Sequence, residues 1–383
     1  MKRIRQIIFV VTILQAAWVC ADEPRRLNLP DQPFEYANVE LPIHVRSVAK
    51  FFDNTPQDNP ITNHGATLGR VLFYDKSLSV NGSVACASCH QQKLAFTDDR
   101  PLSRGFDDQP VSRNSMSLVN VRYYRNGRMF WDERADSLEA QVLQPIENKL
   151  EMGHQLTALV KQLANDPIYP PLFSNAFGDE KVTTKRISRS LAQFVRSIVS
   201  FQSKYDVGRA KVESHLDPFP NFTQSENLGK EQFFGRGKCA SCHMEQPDDL
   251  AAKKTGYQSA FFFLFEPVVS GVVVDDPKSD PGVAEHSGKK TDVGKFKVPS
   301  LRNIALTAPY MHDGRFRLLD QVVEHYNWSV KPHPNLDERI QEFTEGLALP
   351  EVEKNALGEF LLTLTDNQLI NDKRFSDPFV SPK

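Results

Sequence analysis

The chain has 383 residues, with 46 lysines and arginines against 48 aspartates and glutamates, and a sequence pI near 6.6. That near-balance excludes the charge footprint of a nucleic-acid binder or of a protein held on an anionic membrane surface. The length allows two or more domains, each with its own core, and leaves small molecules and other proteins as the expected partners.

The first predicted element is a leader. Lys2, Arg3 and Arg5 precede an apolar run over residues 7–19 that ends Val19-Cys20-Ala21, the pattern of a secretory signal peptide over residues 1–21, cleaved near Ala21. The run is shorter than the roughly 20 residues a spanning helix needs. Cys20 invites a lipoprotein reading, but Ala17-Trp18-Val19 is a poor lipobox. Cleavage leaves four cysteines, and a periplasmic location is expected. Residues 22–60 are rich in proline, asparagine and charge, with only Ile43–Phe52 dense enough for a helix. They are expected to form an extended arm over the first domain.

From Leu68 the chain repeats itself. Leu68-Gly69-Arg70 leads into Cys86-Ala87-Ser88-Cys89-His90, and Leu228-Gly229-Lys230 leads into Cys239-Ala240-Ser241-Cys242-His243, the same five letters. Leu68, Leu72 and Phe73, and their counterparts Leu228, Gln232 and Phe233, fall at helical spacing, and Thr223 with Glu226 forms a capping box for the second copy. A CxxCH run is the attachment signal for c-type haem: two thiols one helical turn apart add to the vinyl groups, and the histidine ligates iron. Disulfides or a Cys/His zinc site compete as explanations, but each CxxC is followed at once by its own histidine. A second echo follows each motif, with Trp131-Asp132-Glu133-Arg134 answered by His312-Asp313-Gly314-Arg315.

Between the copies, Ile187, Leu191, Phe194, Val195, Ile198 and Phe201 predict an amphipathic helix, and a proline-containing linker over residues 215–221 marks the boundary. The expected domains are residues 22–215 and 216–383. Residues 350–365 read as a closing helix opened by a proline. The phenylalanine-rich residues 260–274 read as a buried loop or strand in preference to a docking patch. The fold expected is mainly helical: two tandem cytochrome c-like haem domains related by internal duplication, with long loops.

Further motifs narrow the identity: Ala95-Phe96-Thr97-Asp98, Arg113-Asn114-Ser115, Phe130-Trp131-Asp132, Glu151-Met152-Gly153, and Val298-Pro299-Ser300-Leu301-Arg302-Asn303 through Tyr310-Met311-His312-Asp313-Gly314. With the paired CxxCH motifs, they make the chain resemble the bacterial di-haem cytochrome c peroxidase and MauG family over nearly all of its mature length. The resemblance implies two covalently bound haem c groups, a peroxide-binding one held by Cys86, Cys89 and His90 and an electron-relay one held by Cys239, Cys242 and His243. A peroxide-activating haem needs an empty or displaceable position opposite its histidine. The family's blocking histidine falls here on Phe106, and no histidine lies between His90 and His154, so an open first haem is expected. His154 is expected to be a solvated helix-start residue and not a ligand.

Glu151 matches the family's distal glutamate, a carboxylate able to move a proton between peroxide oxygens. Gln141 and Pro145 match distal-pocket positions, and Trp131 matches the tryptophan between the haems. Where cytochrome c peroxidases carry a methionine ligand to the second iron, this chain has Tyr326, as MauG does. A hard phenolate favours oxidised iron, whereas a thioether favours ferrous iron. Met311 is the weaker candidate, and Met244, next to His243, could hardly reach the opposite face. The resemblance also implies a calcium ion held by Asn114, Thr307 and Pro309. The expected activity is a periplasmic MauG-like peroxidase using hydrogen peroxide and acting on a protein substrate or an electron-donor protein. An ordinary cytochrome c peroxidase fed by a small cytochrome or cupredoxin is the alternative enzyme, and a non-catalytic di-haem electron carrier the alternative of another class.

Overall fold

The computed structural model describes residues 25–243, 260–272 and 280–380. The leader, Met244 and residues 273–274 lie outside the described residues. Helices and turns of 3-10 helix dominate, and β-pairing among the described residues is confined to isolated bridges.

Two helix pairs organise the molecule. Asn63–Tyr74 begins where Thr62 Oγ1 accepts from Gly65 N at 3.0 Å, and it lies against Thr184–Ser197. At their crossing a Cβ on Gly69 would stand 1.9 Å from Ser190 O, so only glycine lets the backbones meet. Gln224–Phe234 opens with the predicted Thr223/Glu226 capping box and packs on Glu351–Leu362, where a Cβ on Gly229 would stand 1.8 Å from Ala356 O. The repeated Leu-Gly dipeptides thus mark two equivalent close approaches. Gly229→Ala is expected to cost about 1–3 kcal/mol through overpacking, read as a lower thermal or denaturant midpoint.

The helix expected to run through Phe201 ends at Ser197. Asn120 explains the stop: its Nδ2 donates to Ser200 O at 3.0 Å, its Oδ1 accepts from Ser200 N at 2.9 Å, and its backbone N donates to Ile198 O at 2.9 Å. These bonds draw the chain off the helix axis while Ile198 and Phe201 stay buried.

One core gathers Leu68, Leu72, Phe73, Phe96, Leu191 and Phe194, with Tyr36 from the arm and Leu369 and Phe375 from the C-terminal tail. A second gathers Phe201, Tyr205, Phe233, Leu357 and Phe360. The arm does not lie wholly over the first core, as expected, but divides. Leu27, Leu29, Phe34 and Tyr36 pack on the first core, whereas Val45, Val48, Ala49 and Phe52 of helix Ile43–Phe52 enter the second. The helix spaces its apolar residues on one face, and the second core supplies the aromatic surface that face needs. Residues 260–265 are buried, as the sequence suggested. Phe261, Phe263 and Phe265 alternate onto Tyr123, Tyr124 and Phe52, while Phe262 faces Tyr205 and Phe233.

A buried ionic cluster joins arm and core. Arg302 Nη1 meets Asp206 Oδ2 at 2.7 Å and Nη2 meets Oδ1 at 2.9 Å, while His44 Nε2 lies 3.0 Å from Oδ1. Burial opposes the Asp206 charge, but Arg302 and His44 hold its carboxyl well below the usual range. A depressed folded pKa contributes stability that is present above the unfolded value and lost as pH falls through the folded one. Asp206→Asn, which strands the Arg302 charge, is expected to cost about 3–5 kcal/mol in denaturant unfolding.

Candidate functional site

Each CASCH motif forms one helical turn, Cys86–Cys89 and Ala240–His243, and the four thiols are free. They line two cavities. The first, about 590 Å³, is walled by Cys86, Cys89, His90, Trp131, Gln141, Pro145 and Glu151. The second, about 190 Å³, is walled by Cys239, Cys242, His243 and Tyr326, with Asn114, Thr307 and Pro309 on its border. The residues singled out with the first motif thus line the first cavity and those singled out with the second motif the second, and the three residues expected at calcium lie on the second cavity's wall as well.

The histidines fit a metal-bound role. His90 Nδ1 lies 2.9 Å from Phe96 O, so it carries the proton and leaves the Nε2 lone pair free. Burial lowers the basicity of His90 and takes His243 down to about 4, keeping both neutral as ligands must be. The Phe262 and Pro299 carbonyls oppose that fall weakly, but neither closes a normal hydrogen bond on His243 Nδ1, which has no partner among the described residues.

Glu151 is half-buried, and Asn148 Nδ2 donates to its Oε1 at 2.7 Å. Burial raises its proton affinity, with Arg134 and Asn148 offsetting part of the rise. Its backbone is clamped by Phe106 N, which donates to Glu151 O at 2.8 Å, and by Gly105, where a Cβ would stand 1.9 Å from Leu150 O. Phe106 itself packs on Gly153 and is absent from the cavity wall. His154 is likewise off the wall, but it is buried, not solvated as expected. Its Nε2 lies 3.2 Å from Gln162 Oε1, and its Nδ1 lies 3.1 Å from Gln155 O.

Trp131 borders both cavities. Its Nε1 donates to Asn114 O at 2.8 Å, and its ring meets His312 edge-on at 6.4 Å; His312 in turn stacks on Phe296 at 3.8 Å. Asn114 Nδ2 donates to Arg100 O at 3.3 Å and Pro101 O at 3.1 Å, which turns its amide oxygen the other way. Tyr326 sits in a π-helical turn, His325–Ser329, packed on Phe343, and shares the cavity wall with Cys239 and Cys242. Burial pushes that phenol up. Met311 lines this cavity too.

Several wall residues escaped the sequence reading, Arg134, Asn148, Lys297, His286 and Tyr124 among them. Arg134 and Asn148 sit close to Trp131 and Glu151 in sequence, and Lys297 opens the Val298-Pro299-Ser300 run, so proximity to a motif was a usable signal. His286, brought from the second half to the first cavity, had none. Its Nε2 lies 3.0 Å from Asp132 Oδ2, and with Glu285 these residues form a metal-type cluster, yet Arg113 already supplies the cation there. Arg113 reaches Asp132 at 2.5 Å, Asp280 at 2.7 Å and Glu285 at 3.0 Å.

A family model described as di-haem cytochrome c peroxidase matches residues 63–213. The chain is 32% identical over 323 residues to the methylamine utilization protein MauG of Methylorubrum extorquens, covering 81% of this chain and 80% of that protein. The chain belongs to the di-haem cytochrome c peroxidase and MauG family. A second family member, the cytochrome c551 peroxidase of Nitrosomonas europaea, is 34% identical over 259 residues, covering 68% of this chain and 71% of that one. The solved structure of a MauG-like protein associated with microbial copper homeostasis superposes with a TM-score of 0.72 at 31% identity, covering 89% of this chain and 99% of the other. As a member of this family the protein is a peroxidase-type oxidoreductase with two haem sites.

Proposed function

We propose that the protein is an exported, MauG-like di-haem peroxidase with haem c joined at each CASCH motif and peroxide handled in the first cavity. The observation that carries this reading is Glu151: a carboxyl with raised proton affinity shares the cavity of His90, while Phe106 and His154 both stay off its wall. Haem bound there supplies the iron at which peroxide is cleaved. Glu151 takes a proton from one peroxide oxygen and returns it to the other, held in place by Asn148 and the Phe106 backbone. Gln141 and Pro145 shape the pocket beside it.

Trp131, bordering both cavities, is the route by which oxidising equivalents are shared between the halves, proposed as residues 22–215 and 216–383. His243 and Tyr326, which line the same cavity, would hold the second haem's iron. Asn114, Thr307 and Pro309 would supply oxygen ligands to a calcium ion. Residues 1–21 direct export to the periplasm, where the protein acts on a protein substrate or draws electrons from a donor protein. No described helix is long and apolar enough to cross a membrane.

The test is to add peroxide to the fully ferric protein and follow it by optical and EPR spectroscopy. Immediate reaction supports the reading. Reaction only after one-electron reduction overturns it in favour of an ordinary cytochrome c peroxidase, the activity in the name of the Nitrosomonas relative. Trp131→Phe keeps a ring in the space and is expected to leave peroxide consumption at the first site while slowing the spectral response of the second.

A further inference from the structure

We infer that Tyr124 is a second oxidisable side chain on the wall of the first cavity, with Glu133 as the base that takes its proton, so that one oxidising equivalent from peroxide can leave by a route separate from Trp131. The inference rests on the proposed reaction of peroxide in that cavity.

Glu133 is the first sign. It adopts a left-handed backbone conformation, φ 55°, a region costly for any residue with a side chain. The chain's own echo shows what the turn favours: the matching position is Gly314, φ 67°. The first half thus places a carboxylate where the second has none, and this carboxylate is buried. Its Oε1 accepts from the Tyr124 phenol and from Asn126 Nδ2 at 3.4 Å. Its Oε2 lies 4.0 Å from Arg128 Nη1.

Tyr124 is the second sign. It is buried, lines the first cavity, and packs edge-on against Phe263 and Phe265 at 5.6 Å each; its phenol also lies 3.3 Å from Phe265 O. Lys297 ties it to the tryptophan. Lys297 Nζ sits 3.4 Å from the Tyr124 ring centroid and donates to Arg128 O at 3.0 Å, while its backbone N donates to Trp131 O at 2.8 Å. One residue therefore touches the Tyr124 ring with its side chain and the Trp131 backbone with its own, and it lines both cavities. A purely structural role would be met as well by phenylalanine and glycine, without burying a phenol, a carboxylate and an amine together.

The chemistry balances. Reduction of one peroxide to two waters takes up two protons, from solvent, and two electrons, one of which arrives from the second half by the proposed Trp131 route. Tyr124 supplies the other as its O–H bond breaks, the proton passing to Glu133 Oε1, which leaves a neutral phenoxyl radical and a carboxylic acid. An electron from an external reductant reverses the step, and Glu133 returns the proton.

The experiment mixes peroxide with the ferric holoprotein without reductant and freezes it for EPR, recording the haem optical spectrum of the same samples. Tyrosine is ring-deuterated in parallel preparations. The expected result is an organic radical whose hyperfine structure narrows with the label, disappears in Tyr124→Phe, and falls at least tenfold in yield in Glu133→Gln, with thermal melts reporting the fold of both variants. A haem spectral change with no label-sensitive radical, or a tyrosyl signal that survives in Tyr124→Phe, overturns the inference while the peroxidatic reading stands. No haem spectral change in the wild-type protein overturns both.

Discussion

Glu151→Gln is expected to slow the reaction of the ferric protein with peroxide by about 10²- to 10⁴-fold, the range set by losing one general acid–base group. Glutamine keeps the volume and can still pair with Asn148, so the pocket survives while the proton acceptor is gone. The pH profile separates chemistry from structure. Burial raises the Glu151 pKa above the ordinary carboxyl value, and Arg134 and Asn148 hold back part of the rise. Peroxide must lose a proton to the carboxylate, so the active form is the ionised one. The wild-type rate should therefore rise with pH through the elevated pKa and level off above it, and that limb should be missing in Glu151→Gln. Stopped-flow mixing over a pH series that begins in the ordinary carboxyl range and continues above it provides the measurement. An unchanged rate in the variant would remove Glu151 from the mechanism. Arg134→Leu gives the complementary expectation: without the nearby cation the Glu151 pKa climbs further, and the same limb moves to higher pH.

What could be read from the sequence follows physical range. Cys86, Cys89 and His90 announce themselves because thioether attachment and ligation demand fixed residue types within one helical turn, and Gly69 and Gly229 recur because two backbones must touch at those points. Glu151, Trp131 and Tyr326 are legible only through resemblance, since a lone carboxylate or aromatic has no local signature. The division of the arm could not be read: an amphipathic helix shows that it needs an apolar partner, not which of two cores provides one. Ser197 ended a helix that hydrophobic spacing carried further, because the stop is made by Asn120, far away in sequence. The burial of His154 was missed for a similar reason, since its partner Gln162 lies a turn or more into the following helix. His286 and the Tyr124–Glu133 pair join residues through contacts made only on folding, and Glu133 in particular looks ordinary until its backbone angle is set beside that of Gly314.

Tyr326→Met is expected to raise the midpoint potential of the second haem by on the order of a few hundred mV, within the roughly 0.8 V that axial ligands command. The direction follows from ligand chemistry. A phenolate is hard and anionic and lowers the free energy of oxidised iron, whereas a thioether is soft and neutral and favours the ferrous state. The protein supports the assignment by placing Tyr326 in the cavity of His243, near both thiols of the second motif and braced by Phe343. Burial raises the proton affinity of the free phenol, so a ferric ion bound there would have to displace the proton and would then neutralise the phenolate's charge. The substitution should therefore also change how long the peroxide-oxidised protein survives. With a methionine in place, the second site holds an oxidising equivalent less well, and the oxidised state should decay faster. Met311 lines the same cavity and makes the test decisive. If Met311 were the ligand, Tyr326→Phe would leave the optical spectrum and potential as they are and Met311→Leu would alter both. If Tyr326 is the ligand, the pattern reverses. Spectroelectrochemical titration of the two variants, with the first haem as internal reference, distinguishes the outcomes. The division of labour between the two CASCH motifs depends on that result, because the motifs themselves are identical while the cavities they line differ, with Glu151 on the wall of one and Tyr326 on the wall of the other.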